Sequence, residues 1–256
     1  MADFYAARAT KNGGAPLDGF VTALHTWDGK VYTVMNEPMC WVYNKKLLPE
    51  DKIPRDHAGL AKLLNDNPDT FKGKVSSYDI EKTGVGFFSV ALDNKRMENF
   101  FEIPKAFGTA KARFLGSSGA MVESVASGES VFGYNLTCSV PAFQAQKNPN
   151  LGIVYPSDFT NVVGRVALIP NKARNQNAAK LFLDFLLSKD GQSLMAATPG
   201  LYPAHKDVPV KGLDAEMIKT SFKPVELGPD LLFNLDPKER LAFLSRWKSS
   251  IASGRR

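Results

Sequence analysis

The chain has 256 residues, 44% of them hydrophobic and 23% charged; that is enough apolar material for one large domain or two small ones, and it excludes wholesale disorder. Lysine and arginine exceed aspartate and glutamate by 32 to 26, a net charge of +6. With no dense Lys/Arg stripe and no recognition-helix motif, this mild excess gives no support to nucleic-acid binding and fits a small anionic ligand or no ligand.

In chain order, "KVYTVM" and "MCWVYNKKLL" read as strands rich in β-branched and aromatic residues. "LAKLLNDNP" is a short helix with Leu60, Leu63 and Leu64 on one face and Pro68 as its stop. "GKVSSYD" is a strand and "GVGFFSVALDN" opens a helix; "MENFFEIPKAFG" is helical. "ARFLGSS" leads into a helix at about Ala120 to Ala126, followed by the strand "SVFGYN". "PAFQAQKNP" is helical, and "LGIVYP" and "GRVALIP" are strands. The clearest helix is "NQNAAKLFLDFLLSKDGQSLMAA", with Ala179, Leu181, Phe182, Phe185 and Leu186 as its apolar stripe. A terminal helix in "LDPKERLAFLSRWKSSIAS" packs through Leu241, Phe243, Leu244 and Trp247. No segment contains about 18 consecutive apolar residues, so no transmembrane helix is expected. The opening "MADFYAARATKNGGAP" lacks the basic start and apolar core of a signal peptide.

Alternation of strands and helices argues for an α/β fold with mostly parallel strands. Ligands of such sheets bind beyond the carboxyl ends of the strands, where helix N-termini present free N–H groups and the positive end of the dipole. Two segments fit that description. In one, Thr83, Gly84, Val85 and Gly86 stand between a strand and a helix. In the other, Ser117 and Ser118 stand within "GSSGAMVESVASGE". Each serine either caps the helix or helps to hold an anion. Tyr134 and Asn135 are either a buried tyrosine and a turn asparagine or a phenol and an amide that bond a ligand. Arg165 is either a surface or interdomain ion pair, the preferred reading, or a ligand contact.

Catalytic and metal signatures are absent from the sequence. The P-loop, GxSxG and HExxH patterns are missing, and nothing pairs Glu37 with Asp79 for acid–base work. His25, His57 and His205 are scattered, and Cys40 and Cys138 form no CxxC pair; a disulfide between them is open in an oxidising compartment, and two buried free thiols are the preferred reading. A binding function therefore stands ahead of an enzymatic one, and no cofactor is expected.

Several of these segments together resemble a known family. "WVYNKKLLPEDKIPRDHAGLAKLL" followed by "FKGKVSSYDIEKTGVGFF", then "SVASGESVFGYN", then "VGRVALIPNKARNQNAAKLFLDFLLSKDGQSLMAATPGLYPAHKDV" resemble the type II periplasmic substrate-binding proteins of ABC importers. The resemblance runs from Thr33 to Val208, and the group that binds iron(III), phosphonates, sugar phosphates and thiamine is the most similar. It implies two α/β lobes joined by crossover strands, ligand held in the cleft between them, hinge closure, and delivery to a membrane permease from the periplasm. Residues 1–38 and 160–205 would form the first lobe, residues 39–159 the second, and residues 206–256 a helical tail.

The sequence departs from the pattern twice. Iron binders of the group carry adjacent tyrosines where this chain reads Leu136 and Thr137, which disfavours ferric ion and favours a phosphorylated or other small anion. The opening of the chain reads as beginning after the first part of lobe one, so the first lobe is expected to be incomplete. The expected ligand residues are Thr83, Gly84, Val85, Gly86, Ser117, Ser118, Tyr134 and Asn135, with Glu37 and Asn161 near the hinge. The protein is expected to act as a monomer, without metal.

Overall fold

The computed structural model describes residues 26–27, 30–205, 207–228, 231–232 and 235–256. The expected first-lobe opening in "MADFYAARATKNGGAP" lies outside them. The strands in chain order are β1 Thr26–Trp27, β2 Val31–Asn44, β3 Val75–Tyr78, β4 Arg113–Leu115, β5 Phe132–Thr137, β6 Leu151–Val154, β7 Thr160–Leu168, β8 Tyr202–Pro203 and β9 Phe222–Pro224. The helices are α1 His57–Asp66, α2 Pro68–Phe71, α3 Gly84–Arg96, α4 Glu102–Thr109, α5 Ser118–Ala126, α6 Ser139–Ala145, α7 Gln176–Leu187, α8 Lys189–Met195, α9 Ala215–Ser221 and α10 Pro237–Gly254.

The chain divides into two compact units. One takes the chain up to Pro38 together with Val162–Asp230; the other takes Met39–Asn161 and Leu231–Arg256. Strands β2 and β7 each pass from one unit into the other. The stretch 206–256 is accordingly divided, with α9 in the first unit and α10 in the second.

In the second unit the sheet order is β4-β3-β5-β2, with β6 on the far side of β2. β3 is parallel to β4 and β5, whereas β2 is antiparallel to β5 and β6. The sheet is therefore mixed, against the expectation of mostly parallel strands. The reason is β2 itself: the two expected strands "KVYTVM" and "MCWVYN" are one strand that runs antiparallel to its neighbours. Pro38 has no N–H, yet it stays in register opposite Val162 at the point where the chain changes unit.

Leu60 and Leu64 of α1 are buried in this unit's core and Leu63 packs at its edge. Asp56 caps the helix by accepting from the Gly59 amide at 2.6 Å. On α10, Trp247 and Ile251 are buried, Phe243 and Leu244 are partly buried, and Leu241 is exposed rather than packed. Trp247 stacks on Phe100 with ring centroids 6.1 Å apart and meets Phe107 edge-on at 6.2 Å.

The first unit holds β1, β8, the first half of β2, most of β7, and β9. β2 is antiparallel to β1, β7 and β8. The long helix expected after β7 is two helices: Ser188 ends α7 and its hydroxyl accepts from the Gly191 amide at 3.1 Å to cap α8. The buried positions of α7 are Leu183 and Leu187, which pack with Tyr32 and Ala204. Leu181, Phe182 and Phe185, expected as the core stripe, are exposed. Gln192 ties α8 to the sheet, donating to the Val34 carbonyl and accepting from the Ala204 amide at 2.7 Å.

Candidate functional site at the carboxyl edge of the second unit

β3, β4 and β5 end at Tyr78, Leu115 and Thr137, and α3, α5 and α6 begin close behind them. Tyr78 is buried and its phenol is hydrogen-bonded to the Ser118 hydroxyl. Ser118 is bonded in turn to Thr137 Oγ1 at 2.9 Å. Three hydroxyls thus form a chain across the edge, each with one hydrogen to give and two lone pairs to receive.

Ser117 plays the other part open to it. It is exposed, and its Oγ accepts from the Ala120 amide at 3.1 Å, which makes it the N-cap of α5.

The start of α3 is built differently. Thr83 is its N-cap residue but supplies no side-chain cap. Its hydroxyl donates instead to the Asp79 carbonyl at 2.9 Å, and Asp79 is ion-paired with Lys82 at 3.0 Å. The first amides of a helix have no partner within it, and here Gly84 and Val85 are exposed. A Cβ on Gly84 would meet nothing within 4 Å, whereas one on Gly86 would overlap Tyr78 Cβ and Thr83 Oγ1. Glycine at 86 therefore lets the first turn of α3 lie directly against Tyr78. Thr83, Gly86, Tyr78, Ser118 and Thr137 form one continuous group, with Gly84, Val85 and Ser117 on its exposed side.

Tyr134, Asn135 and Asn161 lie in a second cluster, around Asp93 of α3. Tyr134 donates to Asp93 Oδ2 at 2.7 Å, the Asn135 amide donates to the same oxygen, and Asn161 donates to Oδ1 at 2.8 Å. Asn135 reaches this position with a left-handed φ of 59°, which asparagine tolerates better than most residues. Arg96 Nε donates to Asn161 Oδ1 at 2.7 Å. Burial pushes the Asp93 carboxyl above its ordinary range, against the opposing pull of the His57 charge and the three donors. Burial and then the Asp93 charge hold the Tyr134 phenol well above its own.

Beside them His57 Nδ1 donates to the Asp158 carboxylate at 2.9 Å, and the imidazole is stacked on Phe159 at 4.3 Å. Burial pushes the Asp158 carboxyl up, the bond and charge of His57 pull it down, and the net shift is downward.

Glu37 lies in the first unit, its carboxylate bonded to Arg165 Nε at 2.7 Å and Nη2 at 2.6 Å. Arg165 is thus an ion-pair residue within one unit. Cys40 and Cys138 form a disulfide with their Cα atoms 5.3 Å apart, which corrects the reading of free thiols. The pairing of β2, which contains Cys40, with β5, which ends one residue before Cys138, brings them together, a juxtaposition that residues 98 apart in sequence do not reveal.

A family model for bacterial extracellular solute-binding proteins matches residues 2–220. The chain belongs to that family. No curated protein matches it. Among solved structures, this solute-binding protein is similar to the substrate-binding protein of an ABC transporter from Agrobacterium tumefaciens: identity is 28%, 98% of this chain and 76% of that chain are covered, and the TM-score is 0.82. AfuA from Actinobacillus pleuropneumoniae, solved with fructose-6-phosphate bound, has 18% identity over 98% of this chain and 88% of its own, with a TM-score of 0.64. Iron-bound HitA from Pseudomonas aeruginosa has 16% identity over 95% and 78%, with a TM-score of 0.60. The last two likenesses show the fold, which is that of the periplasmic binding proteins. Among the described residues no helix is long and apolar enough to cross a membrane.

Asp93, Tyr78 and Thr137 were not singled out from the sequence. Asp93 had a visible signal: it stands three residues after Val90 on the buried face of α3, where a carboxylate needs partners.

Proposed function

We propose that this protein is the receptor of an ABC importer and that it takes a small anionic solute, phosphorylated or phosphonate, at the carboxyl edge of its second unit. The observation that carries the reading is the start of α3, whose N-terminus has no side-chain cap and lies against the Tyr78–Ser118–Thr137 hydroxyls. A helix N-terminus carries about half a positive charge together with unpaired amides. A phosphoryl group has three oxygens that accept hydrogen bonds, and the amides of Gly84, Val85 and Gly86 with the neighbouring hydroxyls are donors of the right kind. Ser117 would act through the backbone, by fixing the first turn of α5. Tyr134, Asn135 and Asn161 would act one step further back, by holding the ends of β5 and β7 around Asp93.

The state of Tyr134 supports an organic anion over ferric ion. Its phenol is buried, bonded to Asp93 and hard to ionise, whereas ferric ion wants phenolate or carboxylate oxygen. The Cys40–Cys138 disulfide supports an oxidising compartment, the periplasm. The receptor would work as a monomer and hand its solute to the permease subunits.

The test is a thermal-shift series with phosphate, methylphosphonate, fructose-6-phosphate, thiamine phosphate and ferric citrate. A ligand that binds only the folded state raises Tm by mass action. A selective rise with a phosphoryl compound, reduced in Ser118→Ala, is the expected result. A rise with ferric citrate alone would overturn the choice of solute.

A further inference from the structure

The Cys40–Cys138 disulfide stands directly beside the hydroxyls of the carboxyl edge. Cys138 follows Thr137, whose Oγ1 is 2.9 Å from Ser118 Oγ, and it is the N-cap residue of α6. Thr137 is therefore the point at which β5 leaves the sheet.

The backbone at Thr137 is located by β2. β5 is in register with β3 at Phe132 and Gly133, near the start of the strand. Asn135 then takes its left-handed φ of 59°, and the register pairs beyond it are Leu136 with Cys40 and Thr137 with Met39. The register shifts between Cys40 and Val42, so an irregularity separates these last two pairs from the rest of the β2–β5 ladder. A short stretch of pairing at a strand end opens at little cost. The disulfide closes this stretch covalently, from Cys40 within it to Cys138 just past it, and both residues are fully buried. The Tyr155 hydroxyl, one residue after β6, donates to Cys138 Sγ at 3.1 Å. Tyr78 and Ser118 reach the edge by other routes: Tyr78 lies opposite Leu115 in the parallel β3–β4 pair, and Ser118 is on α5.

We propose that the disulfide is a positioning element of the anion site, which holds Thr137 where its hydroxyl joins those of Ser118 and Tyr78. The proposal rests on the reading of this edge as the anion site. A binding group is productive only within about 0.5 Å of its place, and two backbone pairs beyond an irregularity do not fix a strand end so closely. A dithiol reductant would break the S–S bond, supply two electrons and two protons to give two thiols, and become a cyclic disulfide itself. Thr137 would then be loosened in a chain that stays folded. Full affinity is thus tied to an oxidising compartment.

Calorimetric titration of the full chain with inorganic phosphate and with fructose-6-phosphate tests this. The forms compared are wild type, Cys40→Ala with Cys138→Ala, Thr137→Val, and all three substitutions together. Loss of the bond is expected to weaken binding roughly tenfold, Thr137→Val by a similar factor, and the triple variant no further, because changes that act through one contact do not add. Gly108→Ala, whose methyl group would meet the Ile251 carbonyl oxygen, destabilises the α4–α10 crossing instead and is expected to bind as wild type does. Without ligand, hydrogen exchange is expected to quicken at 136–142 when the bond is lost and to stay unchanged in α1. Equal affinity with and without the bond overturns the proposal. So do additive losses in the triple variant, or a loss in Gly108→Ala as large as that of the cysteine variant, which would make the effect one of stability. Exchange at 136–142 that does not respond to the bond overturns it whatever the titrations give. A wild type that binds neither probe overturns the anion-site reading on which the proposal rests.

Discussion

Ser118 Oγ lies 2.9 Å from Thr137 Oγ1 and is bonded on its other side to the Tyr78 phenol, so one hydroxyl joins the carboxyl ends of β3 and β5 at the first turn of α5. Its neighbour Ser117 only caps that helix. The two serines should separate in experiment. Ser117→Ala is expected to cost about 1 kcal/mol of stability, the usual value of an N-cap, and to change solute affinity less than twofold. Ser118→Ala leaves the buried Tyr78 phenol and the half-buried Thr137 hydroxyl short of a partner, at about 1–3 kcal/mol, and is expected to weaken solute binding roughly tenfold, about 1.4 kcal/mol. Urea unfolding and calorimetric titration on both variants read the two effects. Equal losses of affinity would remove Ser118 from the site.

Asp93 makes a prediction about pH. Burial raises its native pKa above the unfolded value of about 4. Between those two values the native state holds a proton that the unfolded state has released. The stability contributed by Asp93 is thus fully present below the unfolded pKa and is lost as pH rises through the native one. Asp158 has the opposite sign: its net shift is downward, so its contribution is present above the unfolded pKa and is lost as pH falls through the native value. In Asp93→Asn the first dependence should vanish and the second remain. The variant replaces an acceptor that serves Tyr134, Asn135 and Asn161, and it is expected to lose about 1–3 kcal/mol at pH 7. Relative to wild type, that loss should grow as pH falls towards 4. A stability difference that stays flat with pH would mean that Asp93 titrates normally.

The parts of this structure that were legible in the sequence are those set by local chemistry. Leu60 and Leu64 fall on one helical face, Ser117 precedes a helix, and Gly84 and Gly86 follow a strand. What stayed hidden depends on distance in the chain. Tyr78, Ser118 and Thr137 are separated by 40 and 19 residues, and hydroxyls at such spacing have no pattern to betray them. The face of α7 was misread because Leu181, Phe182, Leu183, Phe185, Leu186 and Leu187 surround most of the helix, so periodicity cannot choose the side that is buried. The mixed sheet was missed because Pro38 reads as the end of a strand, whereas β2 continues through it.

The Cys40–Cys138 disulfide fastens β2 to the residue that follows β5. It closes a loop of 98 residues, long enough for the cross-link to restrict the unfolded chain strongly. Replacing both cysteines by serine is expected to cost about 2–4 kcal/mol, and roughly 5–15 °C in Tm. Dithiothreitol should lower the Tm of the wild type towards that of the variant and leave the variant unchanged. A wild-type Tm insensitive to reductant, with free thiols counted by a colorimetric reagent, would show that the bond is absent in solution.

Gly108 on α4 and Gly254 on α10 allow a helix crossing that no other residue would permit. A Cβ on Gly108 would overlap the Ile251 carbonyl oxygen, and one on Gly254 would overlap the Lys105 carbonyl oxygen. Both obstacles are main chain, so no side chain can rotate away and the helices must part. Parting them withdraws Trp247 from Phe100 and Phe107, the aromatic contacts that fix α10 on the unit. Gly108→Ala and Gly254→Ala are each expected to lose about 1–3 kcal/mol, measured by urea unfolding with Trp fluorescence as the probe. The double variant should lose less than the sum, because helices already parted by one methyl have room for the second; residues that share one contact couple by roughly 0.5–3 kcal/mol. Additive losses would mean that the two glycines accommodate their methyl groups independently and that α4 and α10 do not cross at backbone contact.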